Sequence, residues 1–151
     1  MKNNELYLGL GTNLGDRAAN LQDACDAIAH VYPVVRTSGI VETEAWGYES
    51  EYRYFNQVIV CYCEDTPEEV LNNLQNIEKL LGRTHKTVDR DYQDRPIDID
   101  ILIYGERVIK DKDLTVPHPL MAERDFVKEP LKEVITVKML EFLKKNKIEI
   151  L

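Results

Sequence analysis

Apolar residues in this chain alternate between strand spacing and helix spacing, and the order of the switches limits the folds open to it. Leu6-Tyr7-Leu8-Gly9-Leu10 reads as a short buried strand running into the glycine-rich turn Gly11-Thr12-Asn13-Leu14-Gly15-Asp16. From Arg17 the period lengthens, with Ala18, Leu21, Cys25 and Ile28 at helical spacing as far as Tyr32-Pro33. Val34 to Thr43 and Tyr54 to Cys63 are β-branched and aromatic, so two neighbouring antiparallel strands are expected, joined by a loop from Glu44 to Arg53. Thr66-Pro67-Glu68-Glu69 is a helix start: Thr66 is the N-cap, Pro67 fits the first helical position, and Glu69 can close a capping box. Val70, Leu74, Ile77 and Leu81 supply the buried stripe and Gly82 the stop. After a polar stretch from Arg83 to Arg95, Pro96-Ile97-Asp98-Ile99-Asp100-Ile101-Leu102-Ile103-Tyr104 is a strand by alternation.

The order β-α-β-β-α-β predicts an α+β fold of the ferredoxin-like, split βαβ kind: an antiparallel sheet with both helices on one face. C-terminal additions follow, with short helices between Met121 and Val134 and a docked terminal helix within Val137 to Leu151. At 151 residues, with no repeat or linker, one domain spanning 1–151 is expected.

Charge narrows the partners. Acidic residues number 27 against 19 Lys and Arg, a net of −8, which argues against a nucleic-acid coat or a binder of anionic membranes. Three cysteines, Cys25, Cys61 and Cys63, form no disulfide framework and suit a reducing compartment. No stretch approaches the ~20 apolar residues of a membrane span, and the N-terminus has no secretory pattern. A cytoplasmic protein is expected.

Residues two apart on a strand face the same way, so Asp98 and Asp100 project together, opposite the isoleucines. Side-by-side carboxylates suit Mg²⁺, which takes hard oxygen ligands and shares its shell with water and substrate phosphate; a solvated acidic strand face is the alternative. Arg83, His85, Lys86, Arg90 and Arg95 concentrate positive charge just upstream. Polyphosphate chemistry needs such a juxtaposition, although Asp89, Asp91 and Asp94 could pair with these bases on the surface. Trp46, Tyr48, Tyr52, Tyr54 and Phe55 beside Asn56 suit a flat heteroaromatic ligand; ordinary packing is the alternative. Gly9, Gly11 and Gly15 do not match a dinucleotide fingerprint, because the third glycine comes one position late.

Taken in order, Leu8-Gly9-Leu10-Gly11-Thr12-Asn13-Leu14-Gly15-Asp16, Glu42-Thr43, Tyr54-Phe55-Asn56, Ile77-Glu78, Gly82-Arg83, Arg95-Pro96-Ile97-Asp98-Ile99-Asp100-Ile101-Leu102, Leu114-Thr115-Val116-Pro117-His118-Pro119 and Glu123-Arg124 with Phe126 resemble the 6-hydroxymethyl-7,8-dihydropterin pyrophosphokinase family. The resemblance covers roughly residues 5–134 and leaves 135–151 as a tail without assigned role. It implies an enzyme of folate biosynthesis that transfers pyrophosphate from ATP to the pterin hydroxymethyl group and releases AMP, acting as a monomer in the cytoplasm. It implies two Mg²⁺ ions held by Asp98 and Asp100, with Arg83, Lys86 and Arg95 facing the phosphates or the pterin end of the transfer. Gln75, Glu78, His85, Tyr92, Ile99, Thr115 and His118 fall on the ATP side. Thr43, Ala45, Trp46, Tyr54, Asn56, Arg124 and Phe126 fall on the pterin side, with Tyr54 and Phe126 sandwiching the ring. Segments Trp46–Tyr52 and Lys86–Tyr92 would close over the substrates. The chain departs from the family pattern at Gln93-Asp94, where Gly-Pro is usual, and at His85, Tyr92 and Asp113. Two other classes fit parts of the pattern: an RNA-reading module of this fold, against which the charge speaks, and a metal-dependent phosphodiesterase, which leaves the aromatic loop unexplained.

Overall fold

The computed structural model describes residues 4–44, 53–82 and 96–151. Its centre is an antiparallel sheet in which β1 (Asn4–Thr12) lies between β4 (Tyr54–Cys63) and β5 (Asp98–Tyr104), with β2 (Val34–Thr37) on the far side of β4. A short β3 (Val41–Thr43) continues β2 along the same edge of β4. The expected Val34–Thr43 strand is therefore broken. At the break, the Ser38 hydroxyl accepts from the Val58 amide at 2.9 Å and the Ser38 amide donates to the Val58 carbonyl, so β4's backbone stays satisfied.

Helices cover both faces. On the first, α1 (Arg17–Ala29) sends Leu21, Ala24 and Ile28, and α2 (Pro67–Leu80) sends Val70, Leu74 and Ile77, onto Leu6, Leu8, Leu10, Ile59 and Ile101. Full burial of each such side chain contributes about 1.5–3 kcal/mol. Ala18, expected in the stripe, is exposed, and Ala24 is buried between Leu21 and Ile28 instead. The Thr66 capping box forms as expected, with the Thr66 amide donating to the Glu69 carboxylate at 2.9 Å and the Glu69 amide to the Thr66 hydroxyl at 3.3 Å. Gly82 follows α2 with φ +104°, a conformation that L side chains disfavour.

The second face is covered by α3 (Asp125–Val134) and α4 (Val137–Lys145), whose Val127, Leu131, Val134, Met139, Phe142 and Leu143 pack on Tyr7, Val58, Val60, Leu102 and Ile103. The tail is thus part of a second core, with Ile150 buried near its end. The β1–β5 register jumps between Leu8↔Ile101 and Tyr7↔Ile103, making Leu102 the extra residue of a bulge. Leu102 and Ile103 both enter the second core as a result. A small hairpin, β6 (Ile109–Lys110) with β7 (Thr115–Val116), leads to Pro117 and His118.

Candidate active site

The site lies where the second face runs out of apolar side chains. Along β1 the residues facing α1 and α2 are Leu6, Leu8 and Leu10, whereas Tyr7, Gly9 and Gly11 face the other way. Gly9 pairs with Asp100 and Gly11 with Asp98 on β5, and Gly11 pairs with Asn56 on β4. Directly opposed residues share a face, so Asp98 and Asp100 stand across a strip lacking side chains from Asn56 and Tyr54. Ile99 and Ile101 point into the first core, as the alternation predicted. A Cβ built on Gly11 would lie 3.3 Å from Asn56 Oδ1 and 3.5 Å from the Tyr54 ring. Glycine at this position is what allows both side chains to lie across β1.

Asn56 is 6% exposed and its amide Nδ2 donates to Thr43 Oγ1 at 3.0 Å. The same Nδ2 donates to the Val41 carbonyl at 3.4 Å, which fixes the amide's orientation, because a carbonyl can only accept. Thr43 pairs with Tyr54 in the β3–β4 ladder, so three of the predicted pterin residues form one cluster. Phe126, near the start of α3, packs against the core on this face, and the Arg124 guanidinium carbon lies 5.8 Å from its ring centre.

The outer edge of β5 is held at two points. The buried Glu78 carboxylate on α2 accepts the Ile99 amide at 2.8 Å, so the amide between the two aspartates is fixed. Further along, the His118 amide donates to the Leu102 carbonyl at 2.8 Å. Between them lies a cleft of about 290 Å³ lined by Leu71, Ile99, Asp100, Lys112, Thr115 and His118. Burial, and then the Arg124 guanidinium, hold the His118 imidazole below its ordinary pKa, with Asp98 pulling the other way. His118 is therefore close enough to both to feel their charge, and its ring is neutral at pH 7. Its Nδ1 accepts the Leu120 amide at 3.2 Å, which leaves the ring proton on Nε2, free to donate to a ligand oxygen.

The structure thus brings Asp98, Asp100, Ile99, Thr115 and His118 to one edge of the sheet, and Thr43, Tyr54, Asn56, Arg124 and Phe126 to the adjoining face. Gln75 is exposed on α2, one turn beyond Leu71. Ala45, Trp46, Arg83, His85, Lys86, Tyr92 and Arg95, the two closing segments and Gln93-Asp94 lie outside the described residues. Sequence reasoning missed Leu71 and Lys112. Leu71 carried a signal, since it stands four residues before Gln75 on the same helix face; Lys112 carried none. The α1 N-terminus is filled by its own chain, because the Asp16 side chain accepts the Ala19 amide at 3.1 Å.

Residues 7–136 match the family model described as 7,8-dihydro-6-hydroxymethylpterin-pyrophosphokinase. The chain belongs to that family. It is 42% identical over 131 residues to the 2-amino-4-hydroxy-6-hydroxymethyldihydropteridine pyrophosphokinase of Porphyromonas gingivalis, covering 85% of this chain and 89% of that protein. The enzyme of the same name from Aquifex aeolicus is 36% identical, covering 85% of this chain and 79% of that one. In fold the chain is similar to an HPPK-DHPS crystal structure in complex with substrates, with TM-score 0.65, 15% identity and 99% of this chain covered. It is similar too to wild-type Plasmodium falciparum HPPK-DHPS with pteroate, with TM-score 0.66, 16% identity and 97% of this chain covered. The chain spans 46% and 44% of those two structures. By membership in the family, the chain is a pyrophosphokinase of folate biosynthesis. No helix among the described residues is long and apolar enough to cross a membrane.

Proposed function

We propose that this enzyme transfers pyrophosphate from ATP to the hydroxymethyl group of 6-hydroxymethyl-7,8-dihydropterin, and that the polar part of the second sheet face is where it does so. The observation that carries the reading is the Asp98–Gly11–Asn56 row, which sets a carboxylate and a fixed amide on one face with no side chain between them. The pterin lies over Tyr54, its polar edge read by Asn56, with Phe126 on its other side and Arg124 adjacent. The nucleotide occupies the cleft along β5, where Ile99 and Leu71 offer apolar contact and Thr115 and His118 offer polar contact. The sheet order β2-β4-β1-β5, with α1 and α2 on one face, supports a ferredoxin-like core, read here as part of one domain across 1–151.

The donor set fits magnesium. Asp98 and Asp100 share one face of β5, and a pair of carboxylates is what a cation sharing its shell with water and phosphate requires. Asp98 and Asp100 would hold two such ions, which when bound neutralise the phosphate oxygens. The chain's own contribution is positioning. Glu78 fixes the β5 backbone between the two aspartates, Asn56 and Tyr54 orient the pterin, and His118 Nε2 donates to the nucleotide. Arg83, Lys86 and Arg95 would face the phosphates or the pterin end of the transfer. The pterin hydroxyl oxygen bonds to the β-phosphorus in line, the bridging P–O bond to the α-phosphate breaks, the hydroxyl proton passes to solvent, and AMP leaves. No covalent enzyme intermediate is involved. An open sheet face for RNA is disfavoured, because α3 and α4 pack on it.

The test is to incubate the full chain with ATP, Mg²⁺ and the pterin and to separate the nucleotides. AMP formed in step with pterin pyrophosphate is expected. ADP as the product, or AMP formed without pterin, contradicts the reading.

A further inference from the structure

The first turn of α1 carries a side chain that no part of the mechanism above uses. Arg17 Nη1 donates to Glu42 Oε2 at 3.0 Å and to the Arg53 carbonyl at 2.8 Å, and its guanidinium carbon stands 3.9 Å above the centre of the Phe55 ring. Glu42 lies on β3, Arg53 immediately precedes β4, and Phe55 is on β4. Arg53 adds a second, looser contact to Glu42, Nε to Oε1 at 3.8 Å. One guanidinium thus ties together two strand ends that are separate in sequence.

Register gives this contact its consequence. Glu42 pairs with Phe55 on the face toward α1, and the neighbouring pairs Thr43–Tyr54 and Val41–Asn56 point to the opposite face. Arg17 therefore grips β3 and β4 from behind, at the position between the two pairs that carry the pterin cluster. β3 has three residues in its ladder, too few to hold its place by backbone pairing alone. The Asn56 amide takes its orientation from Thr43 Oγ1 and, at 3.4 Å, from the Val41 carbonyl, both on β3. If β3 slips, the amide loses its orientation.

Arg17 reaches this position because Asp16 caps α1 just before it and Asn20, one turn on, donates to Thr12 Oγ1 at 3.1 Å and to the Leu14 carbonyl at 2.7 Å. The glycine-rich turn is thereby locked to α1 and aims Arg17 at the sheet. The guanidinium is 29% exposed and Glu42 45%, so the ion pair by itself is weak. Stacking on Phe55 and the second hydrogen bond to a main-chain carbonyl make the arrangement specific to arginine, whose planar fork a lysine lacks.

We infer that Arg17 is a positioning residue for the pterin half of the site, acting through Glu42 and Phe55 on the β3–β4 pair. The inference rests on the reading that Thr43, Tyr54 and Asn56 receive the pterin.

Arg17→Met, Arg17→Lys and Tyr54→Ala are compared in steady-state kinetics, together with amide hydrogen exchange of Val41–Thr43 and Tyr54–Asn56. Arg17→Met is expected to raise KM for the pterin about tenfold and to speed exchange at these amides, while KM for ATP stays within about twofold. Arg17→Lys should recover less than half of the loss. An unchanged pterin KM in Arg17→Met, with pterin binding lost in Tyr54→Ala, overturns the inference and leaves the site reading intact. Equal increases in both KM values also overturn it, since they mark a general loosening. If Tyr54→Ala keeps its pterin affinity, the site reading fails; exchange then decides the clamp by itself, and unchanged rates in Arg17→Met remove it.

Discussion

The two faces of the sheet share the same strands yet are made differently. Toward α1 and α2, β1 presents Leu6, Leu8 and Leu10, which pack among buried apolar residues such as Ile59, Cys61, Ile99 and Ile101. Toward α3, it presents Tyr7, then Gly9, then Gly11, while β4 runs from Val60 and Val58 to Asn56 and Tyr54. The first face is apolar core along the β1 leucines and turns polar only at its end, where Arg17 and Glu42 meet Phe55. The second is core as far as Leu102, whose side chain lies 3.5 Å from where a Gly9 Cβ would stand, and beyond it lies the polar strip to which we assign binding. The missing side chains on the middle strand let Leu102, Asn56 and Tyr54 lie close over β1, whose opposite face is pinned by leucines. On the reading proposed above, that packing preorganises the strip for its substrates.

Substitutions on the two faces should separate activity from stability. Asp98→Ala and Asp100→Ala should each lower turnover by about a thousandfold with little change in thermal stability. Leu8→Ala, on the same three-strand stretch but facing α1 and α2, should cost about 2–5 kcal/mol of stability and leave kcat per folded molecule nearly unchanged. Equal loss of stability in the aspartate variants would erase the distinction. Turnover is measured on protein whose folded fraction is known from thermal melts. A smaller effect separates the two glycines. Gly11→Ala places a methyl 3.3 Å from Asn56 Oδ1 and should raise the pterin KM severalfold. Gly9→Ala meets Leu102 at an ordinary 3.5 Å and should change the pterin KM by less than about twofold. If the two alanine variants behave alike, Gly11 has no special part in the site.

Much of this partition was legible in the amino-acid order, because it rests on local rules. Alternation in Ile97–Ile101 put the aspartates opposite the isoleucines, and the Thr66 capping box and Gly82 marked both ends of α2. What was not legible depends on contacts distant in sequence. Leu102 sits in a run of apolar residues, Ile101 to Ile103, where nothing local distinguishes a bulge from a regular strand. The break in the expected Val34–Thr43 strand is made by the bridge from Ser38 to Val58, which spans 20 residues. The resemblance put Glu78 on the nucleotide side; that its carboxylate accepts the Ile99 amide, 21 residues on, is a contact no local pattern shows. α3 falls within the Met121–Val134 stretch expected to be helical, and it tolerates Pro130 because Val127, Leu131 and Val134 bury a stripe that outweighs one missing amide. Burial pushes the Cys61 thiol up to about 12, consistent with a packing role.

The account's central claim is the location of binding on the second face, and chemical-shift mapping of the amide spectrum tests it directly. The full chain is titrated with Mg²⁺ and a non-hydrolysable ATP analogue, and then with the pterin. The largest shifts should fall at Asp98–Asp100, Thr115 and His118 for the nucleotide, and at Gly11, Thr43 and Tyr54–Asn56 for the pterin, with α4 and the amides of Leu21–Ile28 nearly still. Shifts centred on α4 or on the α1 side of the sheet would contradict it.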